Sequence, residues 1–393
     1  MEQKPTLSKR VMLVVGEASG DLHGANLVRS LYEKDPSLEI LGVAGERLRA
    51  TGIRTILDVE SLTGMGFTEL VGSLGSLWKS YKQLRRVLRD DRPDLLVLVD
   101  FPEFNLRLAR LANRLQIPVL YYISPQVWAW RRHRIREIAR WVDHMAVVFP
   151  FEARLYEKEG MTVTFVGHPL LDVVCADQTR EATLNQYGLK PSKLTIALLP
   201  GSRKREVSYH LPVMLRAAER LARQMEVQFV LVRASTVDRH ELDAMIADTP
   251  ARIPISEGNT YNVVNGCDLV WVASGTATLE TALLLKPMVI MYRLAWLTYG
   301  LARLMVRVKH VGMVNIIAGE SVVPELIQTQ VTADRIVMES QKILLNPKLR
   351  REIIQKLEMV RQRLGSPGAA GRVADIALEM MAEPRLAIQR RGS

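Results

Sequence analysis

Short runs that are apolar from end to end recur along this chain, and each is followed by a longer stretch with helical spacing. "RVMLVVGE", "LEILGVAG", "PDLLVLVDF", "IPVLYYIS", "HMAVVF" and "VTFVGHP" come first, then "KLTIALLPG", "VQFVLVRA", "ARIPIS", "CDLVWVAS" and "PMVIMYR". A strand apolar at every position is buried on both faces. That requires a parallel sheet with helices packed on each side. Helical patterns over 24–34, 73–89, 104–115, 131–141 and 151–159 supply the crossovers. The chain has 393 residues, too many for one core and suited to two domains of roughly 150–200 residues. The expected fold is α/β, two Rossmann-like domains facing a cleft.

The seam is expected in the polar segment 176–193, giving an N-terminal domain over 1–175 and a C-terminal domain over 176–371. A last helix, 372–393, follows "GSPGAAG" and could return to the first domain. Cys175 and Cys267 form neither a metal-spacing pattern nor a disulfide framework, as expected in a reducing cytosol. The start lacks the apolar core of a signal peptide, and no run reaches the ~18 apolar residues of a membrane span.

In "LLPGSRKREV" and "LVWVASGTATLE" a buried strand runs into small residues and then a helix. A helix start leaves N–H groups unpaired and carries partial positive charge, so it receives phosphate. Gly201 and Gly275 would let backbone approach a pyrophosphate. Ser202, Ser274, Thr276 and Thr278 add hydroxyls, and Arg203 can pair bidentately with phosphate. Glu280, one turn into its helix, could accept both hydroxyls of a ribose. The competing reading, helix capping by small residues, stands beside this one.

The first loop, "GEASGDLHGANL", is neither a G-x-G-x-x-G nor a P-loop. Ser19 and Asp21 are candidates for caps or ligand contacts, and Glu17 and His23 are equally open. Asp100 ends an apolar strand in "LLVLVDFPEFN", with Asn105 opening the next helix; a carboxylate there can act as general base towards a hydroxyl, or cap a turn. Ser124, Gln126, Trp128 and Trp130 follow another strand, where one tryptophan face suits a sugar and one a core. Arg131, Arg132, Arg134 and Arg136 suit an acceptor phosphate, lipid headgroups or a solvated face. His168 lies near the seam, without an assigned role.

Met65, Phe67, Leu70, Val71, Leu74, Leu77 and Trp78 belong to an apolar stripe that ends in Lys79, Lys82, Arg85 and Arg86. Core packing is one account; docking on a membrane surface is the sharper one. A second stripe covers 295–310. A net charge of +11 admits nucleic acid, anionic lipid or phosphorylated substrates. No nucleic-acid motif accompanies it. No D-x-D pair or His/Cys/Asp cluster is spaced for a metal ion.

"GEASGD", "DFPEFN", "YYISPQVWAWR", "VGHPLLD", "LLPGSR", "ASGTATLE" and "MVNIIAG" resemble, in this order, the lipid-A-disaccharide synthase family over nearly the whole chain. The resemblance implies a GT-B glycosyltransferase of lipid A (lipopolysaccharide) biosynthesis in a Gram-negative bacterium. It would join UDP-2,3-diacylglucosamine to 2,3-diacylglucosamine 1-phosphate (lipid X) through a β-1,6 link, inverting the anomeric centre and releasing UDP, with no metal or cofactor. By the same resemblance Asp100 is the general base. Gly201, Ser202, Arg203, Ser274, Gly275, Thr276 and Ala277 hold the UDP pyrophosphate, Glu280 the ribose, and Asn315 contacts the nucleotide. Ser19, Asp21, Asn105, Gln126 and Trp128 would line the acceptor side. The 65–78 stripe would dock on the cytoplasmic face of the inner membrane. Ala18 stands where relatives often carry a hydroxyl. Oligomeric state is left open, a homodimer among the options. A UDP-N-acetylhexosamine 2-epimerase, or a nucleotide-sugar-binding protein without catalysis, would share the nucleotide half; for the latter Asp100 would be expendable.

Overall fold

The computed structural model describes residues 8–63, 70–130, 134–247, 249, 252–294 and 309–382. The chain forms two compact units. One comprises residues 1–169 together with 365–393, the other 170–364, so both crossings fall short of the 175 and 371 anticipated from composition.

The first unit holds a parallel sheet of β1 (Arg10–Val15), β2 (Glu39–Ala44), β3 (Arg54–Asp58), β4 (Leu95–Val99), β5 (Val119–Tyr122), β6 (His144–Val147) and β7 (Thr162–Phe165), in the order 3-2-1-4-5-6-7. Every residue of β4 is buried, as its apolar run requires. At the other end of the strands, Arg10 pairs with Glu39 at 2.6 Å and its backbone N–H donates to Asp94 at 2.7 Å. Half-exposed pairs of this kind are worth less than about 1 kcal/mol. Here they tie β1 to β2 and β4 where the apolar side chains give no register signal.

The second unit repeats the design with β8 (Leu194–Leu199), β9 (Val227–Arg233), β10 (Ile255–Glu257), β11 (Leu269–Ala273), β12 (Met288–Tyr292) and β13 (Glu325–Ile327), in the order 10-9-8-11-12-13. β3 and β13 have no counterpart among the strand candidates read from sequence. Both are edge strands. β3 is half-exposed along its length, and β13 has three residues, so neither carries a buried apolar run.

Right-handed crossovers on either side of a point where strand order reverses put the helices on opposite faces. The loops there diverge and leave a crevice at the carboxyl ends of the strands. The reversal lies between β1 and β4 in the first sheet and between β8 and β11 in the second. The loops at these two points carry residues 16–21 and 100–105, and residues 200–203 and 274–276.

The opposite end of the second sheet is stapled by charge. Arg180 donates to the carbonyls of Pro191, Lys193 and Gly266 and pairs with Asp268 at 2.9 Å. Asp268, nearly buried, also accepts the N–H of Thr195 at 2.9 Å and a bond from Arg350 at 3.1 Å. Removing one partner from such a cluster leaves carbonyls and a carboxylate short of donors. Arg180→Ala is therefore expected to destabilise the second unit by about 2–4 kcal/mol, seen as a lowered urea midpoint. A change under about 0.5 kcal/mol would refute the staple.

Candidate active site

Asp100 sits one residue beyond β4, and both it and Phe101 hold left-handed backbone, with φ of +46° and +50°. Each such non-glycine residue costs roughly 1–2 kcal/mol. Hydrogen bonds offset the cost. Asn105, without exposed surface, donates from Nδ2 to the carbonyl of Val99 at 3.2 Å and of Asp100 at 2.7 Å. The Tyr121 hydroxyl donates to the same Asp100 carbonyl at 2.6 Å, and the Asp100 N–H donates to Tyr122 at 3.1 Å. Gly16 completes the turn: a Cβ there would stand 2.0 Å from Cγ of Phe101. Burial, with Glu17 just before the helix Ala18–Lys34 adding repulsion, pushes the Asp100 carboxyl up to about 6. That is an ionised group at neutral pH with more basicity than an exposed aspartate.

The other first-unit residues divide. Asn105 serves the turn, as above. Asp21 is buried and spends both carboxylate oxygens on backbone, accepting the N–H groups of Gly45 at 2.7 Å, Leu48 at 3.2 Å and Arg47 at 3.0 Å. It caps the helix Glu46–Arg49 from a distance. Ser19 and Gln126 are exposed. The ring of Trp128 is buried edge-on against Phe151 at 4.9 Å, which turns it from a stacking platform into core. His23 and His168 are both buried, and burial lowers them to about 4 and about 3. Both are neutral across the physiological range.

In the second unit Gly201 has φ +127°, and a Cβ there would meet Glu206 at 2.5 Å. Glu206 folds back over the loop, accepting the Ser202 N–H at 3.0 Å and pairing with Arg203 at 3.4 Å. The Arg203 side chain stays 74% exposed. Across the reversal, Leu199 of β8 is in register with Val272 of β11, so the 274–276 loop leaves the sheet beside the 201–203 loop. Gly275 and Thr276 are exposed, and a Cβ on Gly275 would meet nothing within 4 Å. Ser274 and Ala277 flank them, half-buried. Thr278 turns inward and bonds the Gly275 carbonyl at 2.8 Å, a cap on its own helix. Glu280 is held by the Tyr261 hydroxyl on Oε1 at 2.9 Å, and burial raises its carboxyl.

Asn315 differs from its expected role. It is completely buried and its amide is consumed internally. Nδ2 donates to the Val323 carbonyl and to Glu325, at 2.9 and 2.8 Å, and Oδ1 accepts the N–H groups of Val322 and Val323, at 2.8 and 3.1 Å. Glu325 in turn accepts the N–H groups of Val311 and Gly312. His210 was not singled out in the sequence. Its Nε2 accepts the Arg293 N–H at 3.2 Å, so Nδ1 carries the proton and donates to the Glu206 carbonyl at 2.8 Å. Gln328 clasps Leu294 from both sides of its amide. The segment leaving β12 is thereby tied to the 201–206 loop.

Met65, Phe67, Arg131 and Arg132, and the 295–308 part of the second stripe, lie outside the described residues. Leu70, Val71 and Leu74 fall in the helix Leu70–Asp90. Leu77 is half-buried there, and Trp78 is 52% exposed with Lys82 over its ring at 5.5 Å. Among the described residues no helix is long and apolar enough to cross a membrane, and no group of three or more His, Cys, Asp or Glu is placed to hold a metal ion.

Residues 11–370 match the model of a family described as lipid-A-disaccharide synthetase. The chain belongs to that family. It is 44% identical over 379 residues to the lipid-A-disaccharide synthase of Geobacter metallireducens, covering 96% of this chain and 99% of the relative. With the enzyme of the same name from Syntrophus aciditrophicus it shares 45% over 376 residues, 95% of this chain and 98% of the other. Among solved structures it is similar to a Staphylococcus aureus MnaA–UDP co-structure, with TM-score 0.65, 15% identity and coverage of 95% and 98%. It is also similar to CalG4, a calicheamicin glycosyltransferase, with TM-score 0.61, 13% identity and coverage of 97% and 99%. These likenesses are of fold. The chain is thus a glycosyltransferase with two parallel-sheet α/β units of the GT-B class.

In this family member Gly16 is expected to tolerate no side chain. Gly16→Ala should lower stability by about 1–3 kcal/mol through overpacking and reduce turnover by displacing Phe101. Unchanged kinetics would show that the turn can relax without harm.

Proposed function

We propose that the chain transfers the diacylglucosamine of UDP-2,3-diacylglucosamine to the 6-hydroxyl of 2,3-diacylglucosamine 1-phosphate, forming the β-1,6 disaccharide 1-phosphate and UDP. Family membership supports the reaction, and one observation carries its mechanism. Asp100 is a basic, half-buried carboxylate whose main chain is fixed by three hydrogen bonds, leaving only its side chain to meet a substrate.

A sugar hydroxyl is too weak a nucleophile at neutral pH, so its proton must leave as the new bond forms. Asp100 takes that proton. The hydroxyl oxygen attacks the anomeric carbon opposite the α-linked UDP, the glycosidic C–O bond to the pyrophosphate breaks with its electron pair, and the centre inverts in one displacement. The departing charge falls to the second unit. There the 201–203 loop, the start of the helix Thr276–Leu283 and the exposed guanidinium of Arg203 suit a pyrophosphate. Glu280, anchored by Tyr261 through one oxygen, has the other for ribose hydroxyls. Asn315 acts at one remove, bracing Glu325 and the start of the helix Met313–Ala318. Both substrates carry acyl chains, and the exposed Trp78 with its flanking lysines suits a peripheral site on the cytoplasmic face of an anionic inner membrane.

UDP release from the two lipids should fall by about 10²–10⁴ in Asp100→Ala with UDP affinity retained. Turnover kept in the variant would remove Asp100 from the mechanism. In the wild type kcat/KM should decline as pH falls through about 6, because the base is then protonated. A pH-independent rate between 5 and 7 would contradict this assignment. The same shift makes the ionised form a burden on folding above the unfolded value near 3.8, so Asp100→Asn should melt higher than wild type at neutral pH. Trp78→Ser should weaken sedimentation with phosphatidylglycerol vesicles; equal sedimentation would place the membrane contact elsewhere.

A further inference from the structure

Glu152 has no exposed surface, yet it carries a carboxyl group. It is the third residue of the helix Pro150–Glu157, and with Oε2 it accepts the Phe149 N–H at 3.2 Å, as a capping residue does. Its other oxygen does something capping does not require. Oε1 reaches across to the loop after β5, where it accepts the Ser124 hydroxyl at 2.6 Å and the Trp128 indole N–H at 3.0 Å. Burial pushes this carboxyl up to about 7 despite the donors around it. A buried carboxylate is costly, and an apolar residue of similar size would often serve stability as well. What it does is join two points of one loop.

That loop leaves β5 next to the catalytic turn. Tyr121 and Tyr122, the last two residues of β5, bond the carbonyl and the N–H of Asp100. Ile123 follows with φ +65°, another left-handed non-glycine residue, and its N–H donates to Ala146 of β6. Ser124 and Trp128 are buried, while Gln126 between them is exposed. The aromatic rings of Phe149 and Phe151, stacked at 5.6 Å, and Trp128 against Phe151 close the far side.

We propose that Glu152 is a positioning residue for the acceptor sugar: by tying Ser124 and Trp128 to one buried carboxylate, it fixes the exposed stretch around Gln126 one strand away from Asp100. The inference rests on the reading that the first unit holds the acceptor and that Asp100 is the base. It extends to Trp128, whose indole N–H then matters more than its face.

Two variants test it. In Glu152→Gln the amide NH2 must face either the Phe149 N–H or the two loop donors, so one set of bonds is lost. Trp128→Phe keeps an aromatic ring beside Phe151 but deletes the N–H together with the pyrrole half of the indole, so the donor KM and near-ultraviolet circular dichroism serve to separate the lost bond from loosened packing. Steady-state kinetics would vary each lipid substrate separately, with UDP affinity and near-ultraviolet circular dichroism measured on the same preparations. The expected result is an acceptor KM raised about tenfold in each variant, the loss of one hydrogen bond to a charged group. The donor KM and UDP affinity should stay within about twofold of wild type. The double variant should be no worse than about the weaker single one, because both remove the same tie. An acceptor KM within twofold of wild type in Trp128→Phe overturns the inference, even where Glu152→Gln fails to fold. So does a parallel rise in both KM values, the mark of general loosening. Turnover retained by Asp100→Ala in the same assay would overturn the reading beneath it, and the inference with it.

Discussion

The candidate catalytic turn of the first unit depends on one backbone carbonyl. The oxygen of Asp100 accepts from both Asn105 and Tyr121, and those two bonds hold a pair of consecutive left-handed residues that would otherwise relax to a commoner conformation. Other features follow from that turn. Gly16 has no side chain because Phe101 fills the space. The Asp100 carboxyl is caught in a partly dry position near Glu17, where its proton affinity rises. Strain and desolvation are both unfavourable to the folded chain, and both fall on the one residue proposed to take a proton from an alcohol.

The second unit solves a different problem with different means. In the proposed reaction a leaving pyrophosphate needs donors already aimed, and such donors sit on loops that would fray if left to themselves. Here polar side chains one layer back supply the stiffness. Glu206 folds over the glycine turn, His210 reaches from that helix to the segment after β12, and Asn315 with Glu325 binds a further loop to its helix. Arg203 is left largely in solvent, with one loose ion pair. A long cation so loosely held can move onto a charge that develops late in the proposed reaction.

Much of this was legible in the sequence because parallel sheets write their burial into apolar runs. Strand order did the rest: two motifs some seventy residues apart meet because β8 and β11 are neighbours. The edge strands β3 and β13 escaped notice for the converse reason, having no two-sided burial to record. Among site residues, Asp100 and the 201–203 and 274–276 loops stood out by position, at the ends of buried strands. Asp21 and Asn315 have the same residue types as ligand contacts but are satisfied inside the fold, Asp21 by backbone N–H groups and Asn315 by backbone groups and the Glu325 carboxylate, a matter of tertiary geometry. Trp128 is a similar case, its face covered by a ring on another helix. Glu152 gives no local signal at all beyond a capping position, since its partners lie on a neighbouring strand's loop.

The first unit is discontinuous, and this bears on how the chain is made. The helix Ala369–Ala382 buries Val373, Ala374, Ile376, Ala377 and Met381 and packs on the helix Ala18–Lys34. Arg372 binds the carbonyl of Val166, and Lys9 reaches Met381 across 372 positions of sequence. A ribosome therefore releases the whole of residues 170–364 before the last layer of the first unit exists. The second unit is one unbroken stretch and can mature during translation. The segment that emerges first is the last to be finished, and until then one side of its opening helix lacks its cover. Closing so long a loop is slow compared with folding of contiguous elements. The half of the enzyme that holds the strained Asp100 turn is thus also the half that spends longest incompletely folded, exposed to wrong partners in a crowded cell.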